Sequence, residues 1–137
     1  MNKIFVYGTL QRGMYNDCYM HDNYVKNCTP ATTKGKLHMV KCCTYPAMIP
    51  GDYTVKGELY SIKEDYLEDF IDACDMLEGH PTFYKREIVK VVDNKGNEHE
   101  AYTYIFQKHE LLGKLLPDGD YKNFYKKMEK LILKNER

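Results

Sequence analysis

The chain contains no tryptophan, no surplus of either charge and no long apolar run, and each absence narrows what it can be. Twenty Lys and Arg stand against twenty Asp and Glu, a formal charge of zero. Nucleic-acid binding draws on a basic surplus gathered on one face, so no nucleic-acid partner is expected. No stretch approaches the roughly 18 apolar residues of a membrane-spanning helix. The opening Lys3-Ile4-Phe5-Val6-Tyr7 is strand-like and unlike a charged-then-apolar leader. Together these features predict a soluble, cytoplasmic protein with no membrane association. Repeats, low-complexity tracts and Pro/Gly/Ser-rich linkers are also missing, so a single domain over residues 1–137 is expected.

Paired cysteine spacing is absent too. Cys18, Cys28, Cys42, Cys43 and Cys74 make an odd number, and the adjacent Cys42-Cys43 has no second pair to join in a zinc site. Free, reduced thiols are expected. His21, His38, His80, His99 and His109 are scattered, with no H-E-x-x-H pattern. Neither a metal nor any other cofactor is expected.

What the chain does have is a set of short strand signals and two amphipathic segments. Lys3–Tyr7 is apolar, Lys34–Val40 alternates with Leu37 and Met39 on one face, and Val55–Ile62 alternates less cleanly. Tyr84–Asp93 and Glu98–Phe106 flank Asp93-Asn94-Lys95-Gly96-Asn97, turn chemistry that predicts a hairpin. Ser61-Ile62-Lys63-Glu64 fits a capping box and predicts a helix running to Leu77. Its stripe is Leu67, Phe70, Ile71, Cys74 and Leu77, opposite Glu68, Asp69, Asp72 and Asp75, and Gly79 and Pro81 stop it. A second helix is predicted from about Tyr121 to Leu133, burying Phe124, Tyr125, Met128 and Leu131. Short strands with two helices indicate an α+β domain on a mixed sheet or small barrel.

Two places carry candidate chemistry. Tyr7-Gly8-Thr9-Leu10-Gln11-Arg12-Gly13 follows the first strand, and a glycine there lets successive backbone N–H groups converge on a carboxylate or oxyanion. From these letters alone a plain strand-ending turn is the commoner reading. Glu78 falls on the side of Leu67, Ile71 and Cys74 at 3.6 residues per turn. Burial and the negative helix end would both raise its pKa toward that of a working acid/base. A frayed last-turn glutamate facing water is the alternative, and periodicity alone leaves both open. His80 is expected to be exposed, Arg86 to form a surface pair, and most of the thirteen tyrosines to belong to sheet and core. Asp75 is expected to face solvent and to tolerate Asp75→Asn.

Taken in order, several segments resemble the γ-glutamylcyclotransferase-like proteins, which include γ-glutamylamine cyclotransferase and avirulence-induced small relatives. These are Val6-Tyr7-Gly8-Thr9-Leu10 with Gly13, Tyr45-Pro46-Ala47-Met48 with Gly51, Val55-Lys56-Gly57-Glu58-Leu59-Tyr60 and Leu77-Glu78-Gly79-His80-Pro81. Tyr84-Lys85-Arg86, Ala101-Tyr102-Thr103-Tyr104 and Pro117-Asp118-Gly119-Asp120-Tyr121 complete the series. One departure is Tyr121, where relatives often carry Trp.

The resemblance implies a small mixed β-barrel with flanking helices. It implies conversion of a γ-glutamyl amine into 5-oxoproline and a free amine, with Glu78 as general acid/base. The implied substrate contacts are Tyr7, Gly8, Thr9, Leu10, Tyr45, Pro46 and Tyr84. A sibling acting on glutathione or on a γ-glutamyl-protected intermediate, and a silent relative that only binds a small ligand, are the alternatives it leaves. Arg12–Asn27 and Gly113–Asp120 are the expected rim segments. No obligate protein partner is implied, and a monomer is expected.

Overall fold

The computed structural model describes residues 1–135. Its strands are β1 (Lys3–Val6), β2 (Val25–Val40), β3 (Pro46–Ile62), β4 (Tyr84–Asp93), β5 (Glu98–Phe106) and β6 (Leu112–Leu115). Helices α1 (Leu67–Glu78) and α2 (Tyr121–Asn135) complete the regular structure. The strands lie in the order β3-β1-β5-β4-β2-β6, and β2 also pairs with β3. That extra pairing closes five strands into a barrel and leaves β6 on the outside of β2. The β1–β5 pair is parallel and the others are antiparallel, so the barrel is mixed.

The hairpin of β4 and β5 has the predicted bounds. Asp93 carries its turn: the N–H of Asp93 donates to Asn97 O, and Asp93 Oδ1 accepts from the amides of Lys95 and Asn97 at 2.9 Å each. The other two strand predictions fall short, because β2 and β3 extend well beyond their alternating cores. Pro30 and the unpaired Pro50–Tyr53 stretch interrupt the local pattern, yet the ladder resumes on either side from Met39↔Pro46 to Val25↔Ile62. Long-range pairing decides here, since proline is tolerated at the first residue and at irregular points of a strand.

The capping box does not form. Ser61 is buried in β3 between Lys3 and Asn27 of its neighbouring strands. A single 3-10 turn at Glu64–Tyr66 follows, and α1 begins at Leu67 without a side-chain cap. Ser61 is held in the barrel ladder, six residues before the first residue of α1, and is not placed to cap it. Phe70 and Cys74 of α1 are buried against Ile4, Val6, Tyr60, Ile62 and Phe106, with Leu67, Ile71 and Leu77 packed around them. Phe5 and Tyr7, alternating with those β1 residues, join a second cluster with Leu37, Met48, Val55, Val91 and Tyr121.

The predicted stripe of α2 is only half buried. Tyr121, Phe124 and Tyr125 pack on the second cluster, whereas Met128 and Leu131 are exposed at 42% and 55%. Only the first turns of α2 rest on the barrel. Asp120 starts the helix, its Oδ1 accepting from Asn123 N–H at 3.0 Å. No helix among the described residues is long and apolar enough to cross a membrane.

Candidate active site

The short loop after β1 and the C-terminal end of α1 meet over one cavity of about 270 Å³. Every residue implicated by the sequence lines it: Tyr7, Gly8, Thr9, Leu10, Tyr45, Pro46, Glu78 and Tyr84. Tyr15, Asn16, Phe83 and Tyr104 also contribute, and sequence reasoning had not singled them out. Of the two expected rim segments, Arg12–Asn27 supplies Tyr15 and Asn16. Gly113–Asp120 supplies none of the wall and packs elsewhere on the barrel.

Local bonding explains how the loop holds its shape. Gln11 N–H donates to Gly8 O at 3.1 Å, closing a turn, and Asn16 is tied to Thr9 through both backbone and side chain at 3.0 Å. Arg12 N–H donates to Glu58 Oε1 at 2.7 Å. Among the described residues, by contrast, the amides of Gly8, Thr9 and Leu10 have no hydrogen-bond acceptor. Three successive residues of the cavity wall thus carry N–H groups with no partner among the described residues, the composition of an anion-binding nest. Gly8 is required for a reason the sequence did not show. It does not adopt a positive φ, but a Cβ there would lie 2.9 Å from Pro46 Cγ. Its lack of a side chain brings the loop against β3.

Two tyrosine hydroxyls lock this junction. Tyr7 donates to Tyr104 O at 2.6 Å and accepts from Met48 N–H at 3.3 Å, and Tyr84 donates to Pro46 O at 2.5 Å. Burial, reinforced by nearby charges, pushes both phenols well above their ordinary range. Both hydroxyl protons are thereby committed to backbone carbonyls. Tyr45 is pushed up to about 12 by the neighbouring Cys43 thiol and by burial. Tyr121 does not line the cavity: its ring is buried and its hydroxyl donates to Thr44 O.

Glu78 is the last residue of α1, and Gly79 follows in the left-handed conformation (φ 67°), its N–H turned back to Asp75 and Met76 carbonyls. This cap ends the helix at the cavity wall and leaves Glu78, among the described residues, as the only charged one lining it. Among the described residues its carboxylate has neither an ion-pair nor a hydrogen-bond partner. Burial raises its pKa from the ordinary 4.5 to about 7. The negative end of the helix acts in the same direction. The geometry thus puts Glu78 inside a cavity, in place of the water-facing alternative.

Asp75, one turn earlier, is not on a solvated face. Its carboxylate accepts from the Arg86 guanidinium and from Tyr104 OH at 2.7 Å, and its side chain is only 21% exposed. Burial acts to raise its pKa, but these hydrogen bonds outweigh it and hold the group below its ordinary value. Arg86 stacks over Tyr102 at 5.2 Å, and its own N–H donates to His80 Nδ1 at 2.9 Å. Arg86 and His80 are therefore structural ties between the end of α1 and the hairpin, contrary to the surface pair and exposed histidine expected. The hairpin register held the clue, since it places Arg86 opposite Tyr104.

All five cysteines are free, and burial, followed by the Glu78 and Asp75 charges, pushes Cys74 to about 12. Among the described residues no three His, Cys, Asp or Glu side chains are grouped to hold a metal ion.

Comparison with known proteins fits this geometry. A family model described as gamma-glutamyl cyclotransferase, AIG2-like, matches residues 4–123. A Methanocaldococcus jannaschii protein with the provisional name of gamma-glutamylcyclotransferase is 36% identical over 90% of this chain and 98% of its own. Gamma-glutamylaminecyclotransferase B of Danio rerio is 26% identical over 80% of this chain and 62% of its own. In three dimensions, the crystal structure of an AIG2-like protein from Mus musculus superposes with a TM-score of 0.66 at 24% identity, covering 83% of this chain and 85% of that one. That last likeness bears on the fold.

Proposed function

The chain belongs to the gamma-glutamyl cyclotransferase, AIG2-like family, and from that premise we propose that it is an enzyme converting a γ-glutamyl amine into 5-oxoproline and the free amine. The observation that carries this reading is the pairing, among the described residues, of one partly buried, unpartnered carboxylate with three unpartnered amides of residues that line the same small cavity.

The chemistry moves two protons from the α-ammonium to the leaving nitrogen, and one carboxylate can relay each in turn. The α-ammonium of the γ-glutamyl group gives a proton to the Glu78 carboxylate. The freed amine nitrogen attacks the γ-carbonyl carbon, forming the ring C–N bond and a tetrahedral oxyanion. As the oxyanion collapses, the original amide C–N bond breaks and the protonated Glu78 delivers its proton to the departing nitrogen; the restored carboxylate then takes the second proton from the ring nitrogen and passes it to the amine, which leaves as an ammonium ion. The products are a five-membered lactam and an amine, and the carboxylate is restored without water being consumed. General acid/base work of this kind contributes roughly 10²–10⁴-fold.

The Gly8–Leu10 amides can hold either the oxyanion or the α-carboxylate, and losing one oxyanion donor costs about 10²–10³-fold. The aromatic walls Tyr7, Tyr84 and Tyr104 restrict the glutamyl chain to its curled form, which lowers the entropic part of the barrier.

A γ-glutamyl amine fits better than glutathione. Among the described residues no charged side chain apart from Glu78 lines the cavity, so no cationic side chain there grips the second carboxylate of a tripeptide. The mouth is aromatic, with Tyr15, Tyr45 and Phe83. The test is direct: the full chain is incubated with γ-glutamyl alkylamides and, separately, with glutathione, and 5-oxoproline is quantified. Release from the alkylamides in preference to glutathione is expected. Binding of both without release would identify a silent binder, and preference for glutathione would reassign the substrate.

A further inference from the structure

A second cavity, of about 450 Å³, shares no residue with the first. It lies beside the N-terminal half of α1: Phe70 is eight residues before Glu78, about 12 Å along the helix axis. Three tyrosines from three separate segments line it: Tyr19, Tyr24 and Tyr66. Asp69 supplies a carboxylate at the wall, and Phe70, 6% exposed, anchors the wall in the core.

The tyrosines are not packed as core residues. They remain 37%, 38% and 43% exposed, which is unusual for three neighbouring large rings without a role. Their placement is nevertheless fixed. Lys63 N–H donates to Tyr24 O at 2.8 Å and Tyr66 N–H donates to Lys63 O at 3.0 Å, so a short chain of backbone bonds joins the two ring-bearing segments. The Tyr24 and Tyr66 rings meet at 5.3 Å and 61°, forming a corner, and His21 adds a further inclined ring 5.9 Å from Tyr24.

Two independent features select the ligand. Aromatic faces attract cations through their quadrupole, most of all bulky organic ammonium ions whose own hydration is weak. Asp69 adds a negative charge at the wall, with Asp65 and Asp72 near it along the same chain segment. Four of the chain's cations are stacked on other rings: Arg12 on Tyr60, Lys36 on Tyr53, Arg86 on Tyr102 and Lys114 on Phe124. Among the described residues none lies over Tyr19, Tyr24 or Tyr66.

We infer that this cavity is an aromatic cage for a methylated ammonium head group, distinct from the site around Glu78. Tyr66 and Tyr24 supply the corner, Tyr19 the facing wall and Asp69 the counter-charge. The site does not depend on the cyclotransferase reading, because it shares no residue with that site.

Choline and its neutral carbon isostere, 3,3-dimethyl-1-butanol, separate cation recognition from simple apolar contact. The uniformly labelled full chain is titrated with each, following backbone amide and tyrosine ring signals by NMR. Choline at millimolar concentration should shift the signals of Tyr19, Tyr24 and Tyr66, leave those of Gly8–Leu10 in place and bind several-fold more tightly than the isostere. Tyr66→Leu should weaken choline about two- to fivefold, the effect of one cation–π contact at a partly exposed site. Asp69→Asn, at an exposed position, should weaken choline without altering the isostere, and it keeps the test open if Tyr66→Leu fails to fold. Neither variant should change turnover of a γ-glutamyl amide. Equal affinity for choline and the isostere, or shifts confined to the Glu78 cavity, would overturn the assignment.

Discussion

Replacing Glu78 with glutamine should make the protein more stable, and only on the alkaline side. Burial raises the Glu78 pKa from 4.5 to about 7 in the folded chain, so the native state holds this proton more tightly than the unfolded state does. A raised pKa contributes stability that is fully present below about 4.5 and is lost as pH climbs through about 7. The difference of about 2.5 pH units, at 1.36 kcal/mol each, gives ~3 kcal/mol as an upper bound, because the side chain remains partly in contact with water. Glutamine keeps the shape of the protonated acid and never bears the charge. Glu78→Gln should therefore match the parent at pH 4 and exceed it by up to ~3 kcal/mol at pH 8, roughly 10 °C in Tm for a chain of this size. Urea unfolding of both proteins across this pH range measures the difference directly, and other titrating groups cancel in the subtraction. A difference that is flat with pH, or one in which glutamine is the less stable at pH 8, would refute the claim that Glu78 is held at the cost of burying its charge.

Three further outcomes follow from the site. Gly8→Val should abolish most turnover, because its Cβ meets Pro46 at 2.9 Å, whereas Thr9→Ala leaves the backbone donors in place and should cost far less. Asp75→Asn should destabilise the fold by ~1–3 kcal/mol in urea titration, the range for losing hydrogen bonds to a charged group, and an unchanged midpoint would show that the Arg86–Asp75–Tyr104 tie is idle. Turnover should survive chelating agents, and its loss in EDTA with recovery on adding a divalent ion would reveal a ligand set that the cysteine and histidine spacing does not disclose.

The parts of this architecture that depend on neighbours in sequence were the legible ones. Asp93–Asn97 carries its own turn chemistry, so the hairpin and its register follow from local letters. The stripe from Leu67 to Glu78 likewise follows from helical period, including the side on which Glu78 falls. What could not be read were outcomes decided by remote partners. Ser61 has the letters of a cap but spends its backbone on the β1 and β2 ladders. Met128 and Leu131 have the spacing of a buried stripe, yet the barrel reaches only the first turns of α2. Asp75 sits among acidic residues that face solvent, and only the closure of β4 and β5 over the end of α1 gives it Arg86 and Tyr104 as partners. Gly8 is needed for a different physical cause from the backbone turn its letters suggested, the close approach of Pro46. The resemblance to a family supplied what neither propensity nor period could: that the loop after β1 and the end of α1 belong to one cavity.

The central claim is that Glu78 takes and returns the proton in lactam formation. The pH dependence of kcat/KM for a γ-glutamyl alkylamide, measured as 5-oxoproline released by the parent chain and by Glu78→Gln, tests it most directly. The account predicts a limb that rises with pH through about 7 in the parent, where Glu78 becomes able to accept a proton. It predicts that this limb is absent from Glu78→Gln, whose rate is lower by at least ~10²-fold while product still binds. A Glu78→Gln protein that turns over near the parental rate, or that keeps the same limb, would contradict it.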